Sequence, residues 1–116
     1  MTNILFINAC VRENSRTLQL AREVLFKLQG EAEEVKLYEC SLAPLDREGM
    51  QIRDKASASK DFSDPIFTLA KQFSNAETIV IAAPYWDLMF PAVLKTYLEN
   101  ITVNGLTFAY GENGKP

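Results

Sequence analysis

Apolar residues fall along this chain in runs whose period alternates between that of a strand and that of a helix. Residues 3–8 (Asn-Ile-Leu-Phe-Ile-Asn) are apolar between polar ends, as in a strand buried on both faces. In residues 18–28 the positions Leu18, Ala21, Val24, Leu25 and Leu28 recur at helical spacing. Asn14 or Ser15 is placed to cap that helix, and Gly30 to take a left-handed position beyond its end. Residues 34–38 (Glu-Val-Lys-Leu-Tyr) alternate, which suits a half-exposed edge strand. Residues 41–61 show little periodicity and hold Pro44, Gly49 and several Asp and Ser, so a long loop with at most a short helical piece is expected. Ser63-Asp64-Pro65 reads as a helix start, after which Ile66, Leu69, Ala70 and Phe73 share a face. Residues 78–83 form a third apolar strand. Pro91 falls in the first turn of a last helix whose stripe is Val93, Leu94, Tyr97, Leu98 and Ile101. Residues 106–110 (Leu-Thr-Phe-Ala-Tyr) alternate and suit an extended segment or half a hairpin.

The predicted order is β-α-β-α-β-α. That alternation implies an α/β fold, a doubly wound parallel sheet in a three-layer α/β/α sandwich. In the strand order 2-1-3, strands one and three are neighbours and the winding reverses between them. Their carboxyl-end loops, residues 9–17 and 83–91, then flank one crevice, where open α/β sheets hold ligands. No repeat, low-complexity tract or linker divides the 116 residues, so one domain over 1–116 is expected.

Composition narrows the chemistry. Hydrophobic residues make up 47%, enough for a core and too many for a disordered chain. A formal charge of -3 argues against nucleic acid as a partner. No apolar run approaches the roughly 18 residues of a membrane span. The N-terminus lacks the charged region of a signal peptide, so the cytoplasm is the expected compartment. Cys10 and Cys40 have no metal-type spacing and are expected as free thiols. There is no histidine, which removes Ser-His and Cys-His nucleophiles and most transition-metal sites. Chemistry must come from a cofactor, from carboxylates, Tyr or Lys, or from another chain.

The first crevice loop ends at a helix N-terminus, where free amides and the helix dipole favour an anion. It adds the hydroxyls of Ser15 and Thr17 and the charges of Arg12 and Arg16, a cradle suited to one phosphate. With no glycine it is neither a Gly-x-Gly-x-x-Gly loop nor a nucleotide P-loop. The plainer alternative is an N-cap with two solvated arginines. The second loop, Pro84-Tyr-Trp-Asp-Leu88, brings Tyr85 and Trp86 to a strand end as a wall for a flat ring, or as packing under the next helix or against a partner subunit. Phosphate cradle and ring wall together suit flavin mononucleotide. Asp87 is expected first to cap the following helix and second to accept a hydrogen bond from a ligand. Tyr97 and Cys10 are read as packing residues, and the Glu31 to Glu34 cluster as a solvated turn.

These residues, in this order, resemble the flavodoxin-like NAD(P)H-dependent FMN reductase, quinone reductase and azoreductase family. The resemblance is most specific over residues 83–99 (Ala-Pro-Tyr-Trp-Asp-Leu-Met-Phe-Pro-Ala-Val-Leu-Lys-Thr-Tyr-Leu-Glu), which are similar to the family's flavin-ring loop and following helix. Ser15-Arg-Thr17 matches its phosphate loop, and residues 104–114 its segment after the helix. The resemblance implies FMN bound by Cys10, Arg12, Ser15, Arg16, Thr17, Pro84, Tyr85, Trp86, Asp87 and Leu88. It implies NADH or NADPH as electron donor, a quinone or azo compound as small-molecule acceptor, and a homodimer in which the partner completes each flavin site. No protein acid or base is required, because the cofactor carries the chemistry.

Two departures accompany it. Cys10 stands where the family often has Ser, with Arg12 available to compensate. The family's sheet has five strands in the flavodoxin order, and this chain ends before the fourth. It is expected to be a fragment or a truncated member in which strand three is a sheet edge that pairs with another copy. A non-catalytic domain acting through self-association or a partner protein is the alternative function. A phosphorylated receiver domain is rejected, because Asn8, Ala9 and Pro84 stand where it needs acidic residues.

Overall fold

The apolar run at residues 3–8 lies at the centre of the sheet. In the computed structural model, which describes residues 3–86 and 88–111, strand β1 (Asn3–Asn8) pairs in parallel with β2 (Glu31–Lys36) on one side and β3 (Thr78–Ala82) on the other. Asn3 lies opposite Glu31, and Ile4 opposite Thr78. The spatial order β2-β1-β3 is the expected one. Because side chains alternate along a strand, β1 supplies two cores. Leu5, Ile7 and Ala9 share a core with Ala56 of α2 (Arg47–Ser59), Ala70 of α3 (Thr68–Asn75), Phe67 just before α3, and Leu94, Tyr97 and Ile101 of α4 (Ala92–Ile101). Phe6 and Cys10 face α1 (Arg16–Leu28) through Leu18 and Ala21.

Several expected boundaries move. Strand β2 begins at Glu31, so the acidic cluster is strand and not turn, and Leu37–Glu39 closes as a 3-10 turn. The cluster is tolerated because β2 is an edge strand whose first three residues are exposed; pairing to β1 is made by its backbone. Residues 41–61, expected as a loop, contain the 13-residue helix α2, started by Asp46, whose side chain accepts from the Gly49 amide at 2.8 Å. It buries only Gly49 and Ala56, so its sequence carries almost no apolar stripe.

Gln29 and not Gly30 takes the left-handed position after α1, with φ 53°. Only Leu18 and Ala21 of the expected α1 stripe are buried; Val24 and Leu28 remain exposed. A 3-10 turn at Pro65–Phe67 precedes α3. Pro91 is the residue before α4 and not part of its first turn, and Leu98 is exposed while Leu94, Tyr97 and Ile101 are buried. Residues 106–110 form no strand. Gly105, at φ 92°, opens a turn in which its amide donates to Phe108 O at 2.8 Å, and Thr107 Oγ1 donates to Ile101 O at 2.6 Å. The segment thus ties down the end of α4.

Candidate functional site

Pairing of β1 with β3 runs one residue past β1: the Ala9 amide donates to Ala82 O at 2.8 Å. The chains of the two strands therefore leave the sheet side by side, at the point where the winding reverses. Between them lies a cavity of about 370 Å³ lined by Cys10, Val11, Arg12, Asn14, Ser15, Arg16, Pro84 and Trp86. That volume falls within the range of small-molecule sites, roughly 300–1,000 Å³.

Ser15 builds the first wall. Its extended backbone (φ -61°, ψ 131°) ends the loop, and its Oγ accepts from the Leu18 amide at 3.3 Å. The cap is thus Ser15, leaving Asn14 on the cavity. The first amides of α1, of Arg16 and Thr17, have no carbonyl within the helix to bond and carry the positive end of its dipole. Arg12 and Arg16 are exposed at the rim, and Glu13 beside them lines nothing in the cavity. The electrostatic sense of this wall is positive.

The second wall is apolar. After Ala82 the chain passes Pro84 to Trp86, whose amide donates to Met89 O at 2.7 Å and whose carbonyl accepts from the Met89 amide at 2.8 Å. This tight turn places Leu88 at φ 64°, a left-handed conformation costing a non-glycine residue about 1–2 kcal/mol. Leu88, Met89 and Phe90 stand out in solvent beside it. Strain and exposed apolar area meet here, a combination found at ligand clamps and interfaces.

Of the residues expected at the site, Cys10, Arg12, Ser15, Arg16, Pro84 and Trp86 line the cavity. Thr17, Tyr85 and Leu88 do not; Tyr85 is exposed and Thr17 sits within α1. Asp87 lies outside the described residues. Val11 and Asn14 line the cavity without having been singled out as site residues; Asn14 had signalled only a possible cap, and Val11 gave no signal beyond its place in the loop. Cys10 is 1% exposed and packs under the loop. Tyr97 is in the core, its hydroxyl without a partner among the described residues and its pKa pushed up by burial and by the neighbouring Cys40.

A family model described as a flavodoxin-like fold matches residues 2–116. The chain belongs to the flavodoxin-like family. This flavodoxin-like chain is 32% identical over 121 residues to an FMN-dependent NADH:quinone oxidoreductase of Coprothermobacter proteolyticus, covering 98% of this chain and 60% of the relative. It is 34% identical over 122 residues to FMN-dependent NADH:quinone oxidoreductase 2 of Clostridium acetobutylicum, with the same coverage of each. The crystal structure of an azoreductase from Bacillus anthracis matches with a TM-score of 0.82 at 27% identity, over 98% of this chain and 62% of that one. The chain thus spans about 60% of the length of the curated relatives it matches.

Proposed function

We propose that this chain forms the flavin-binding part of an FMN-dependent oxidoreductase that takes electrons from a reduced nicotinamide and passes them to a quinone or azo acceptor. The observation that carries the reading is the two-walled cavity at the β1/β3 switch, cationic on the α1 side and apolar at Pro84 and Trp86. The names of the relatives, which specify FMN, NADH and quinone, support it.

The donor set fits FMN. The amides of Arg16 and Thr17 and the Ser15 hydroxyl would hold the phosphate, with the guanidinium groups of Arg12 and Arg16 balancing its charge. Pro84 and Trp86 would flank the ring, and the closed turn Trp86–Met89 would keep that wall from collapsing inward. Bound there, FMN supplies two-electron transfer; this chain binds it, orients it and tunes its polarity. Tyr85, Leu88, Met89 and Phe90, at the mouth of the site, would meet a second copy that encloses the ring.

Trp86 is the single tryptophan of the chain and lines the cavity, so its emission reports on ring binding. Titration with FMN is expected to quench it, with riboflavin binding at least tenfold more weakly for want of the phosphate. Unchanged emission and no flavin uptake would leave the non-catalytic alternative standing.

A further inference from the structure

Apart from the Tyr97 hydroxyl, Asn8 carries the one fully buried polar side chain among the described residues, at 1% exposure. It ends β1, immediately before the cavity loop. Its Oδ1 accepts from the Cys10 amide at 2.9 Å, and its Nδ2 donates to Glu34 Oε2 at 3.0 Å. An amide hydrogen can only be donated and an ionised carboxylate can only accept, so one orientation of the Asn8 amide satisfies both.

Glu34 lies opposite Phe6 in the register and reaches diagonally along the sheet to Asn8. Its other oxygen is 3.6 Å from Arg22 Nη2 of α1, and that guanidinium lies 6.0 Å from the Phe6 ring centroid. A chain of polar contacts therefore runs from α1 through β2 and β1 to Cys10, the second residue of the loop. Its output is local: Ala9 is already tied to β3, and the Asn8 bond adds a second tie at Cys10, which lines the cavity. An apolar side chain would fill this buried position without the desolvation that an amide brings.

We propose that Asn8, oriented by Glu34, is a positioning residue that sets the path of residues 10–16 and so governs recognition of the phosphate but not of the ring. The proposal rests on the FMN reading for its ligand, and its test includes a measurement that does not.

Asn8→Asp still accepts from the Cys10 amide but sets a second carboxylate against Glu34. Adding Glu34→Gln restores a donor to the pair with the direction of the bond reversed and the net charge unchanged. Three measurements are made on wild type, Asn8→Asp and the double variant: FMN affinity, riboflavin affinity, and exchange of the Cys10 amide by NMR. Expected are a loss of about tenfold or more in FMN affinity in Asn8→Asp, riboflavin affinity within about twofold, tenfold faster Cys10 exchange, and recovery of both altered quantities in the double variant. Equal weakening of FMN and riboflavin, or no recovery in the double variant, overturns the proposal. If wild type binds neither flavin, the cofactor reading falls and exchange alone decides: protection lost and then restored supports positioning by Asn8, and unchanged protection refutes it. If Asn8→Asp does not fold, Asn8→Ser, which removes the bond to Glu34 without adding charge, replaces it with the same flavin and exchange outcomes for the single variant.

Discussion

Replacing Ser15 by Asp keeps the cap of α1 while placing a carboxylate where a phosphate would sit. Ser15 Oγ accepts from the Leu18 amide at 3.3 Å and Ser15 also lines the cavity, so the residue that caps the helix is one that would also meet a bound phosphate. Asp is as good an N-cap as Ser, and a carboxylate at a helix N-terminus gains about 0.3–1 kcal/mol from the dipole. The thermal midpoint without ligand is therefore expected to hold or rise. Against FMN the same change brings like charges together. A pair of unit charges ~4 Å apart at an effective dielectric of ~20 repels by about 4 kcal/mol. Exposure of the rim, where Arg12 and Arg16 also stand, and salt screening reduce that to about half. A phosphate bearing about two charges then loses roughly 3–4 kcal/mol, more than 100-fold in affinity.

Quenching of Trp86 emission by FMN and by riboflavin measures both affinities, and a melting curve on the same samples measures the cap. Ser15→Ala is the counterpart: about 1 kcal/mol less stable, with only a modest loss of FMN affinity. The pair separates the two readings of residues 9–17, because a pure cap makes Ser15→Ala the worse variant in every assay. If Ser15→Asp binds FMN as tightly as wild type, the phosphate does not lie at α1 and the site assignment is wrong.

Four further outcomes follow from the packing. Arg53 of α2 donates to the carbonyls of Thr102 at 2.9 Å and Asn100 at 2.9 Å and also to that of Glu99, capping the end of α4; Arg53→Met, which keeps the stem, is expected to lose about 2 kcal/mol in urea unfolding, and a loss below ~0.5 would show that water serves those carbonyls equally well. The buried Tyr97 hydroxyl has no partner among the described residues, so Tyr97→Phe is expected to be neutral or stabilising by up to about 1 kcal/mol, and a loss above that would reveal a partner such as internal water. Because folding raises the Tyr97 pKa from its ordinary value of 10.0, the unfolded chain releases that proton first; stability is whole below about pH 10 and falls above it by up to ~1.4 kcal/mol per pH unit, a slope that Tyr97→Phe should reduce in alkaline melts. Ile81, 44% exposed on β3, lies beside a strand edge unpaired among the described residues; Ile81→Lys is expected to shift sedimentation toward monomer, and an unchanged distribution would remove the edge as an association surface.

The parts of the fold legible in the sequence are those in which burial itself imposes a period. Residues 3–8 and 78–82 are central or core-facing strands, and α4 shows Leu94, Tyr97 and Ile101 at helical spacing because those side chains face the sheet. Where an element buries little, its period disappears. Helix α2 is held at its start by Asp46 and at its middle by Arg53 reaching α4, contacts between polar groups that no hydropathy pattern records. Strand β2 can carry glutamate at three of its first four positions because its outer side faces solvent and its inner side pairs through backbone.

The same division runs through the site. The two loops and most of their lining side chains followed from chain order and from the rule that places a crevice where winding reverses. Asn8 and Glu34 did not, because a polar residue at a strand end and a glutamate in an acidic run have many ordinary explanations. Their meaning comes from a register that sets Glu34 opposite Phe6 and within reach of Asn8, a relation between positions 26 residues apart. Residue types at the cavity rim thus indicate what charge the site would accept. How tightly it would be accepted depends on backbone position, and the Asn8 bond to the Cys10 amide sets that position from beneath the loop.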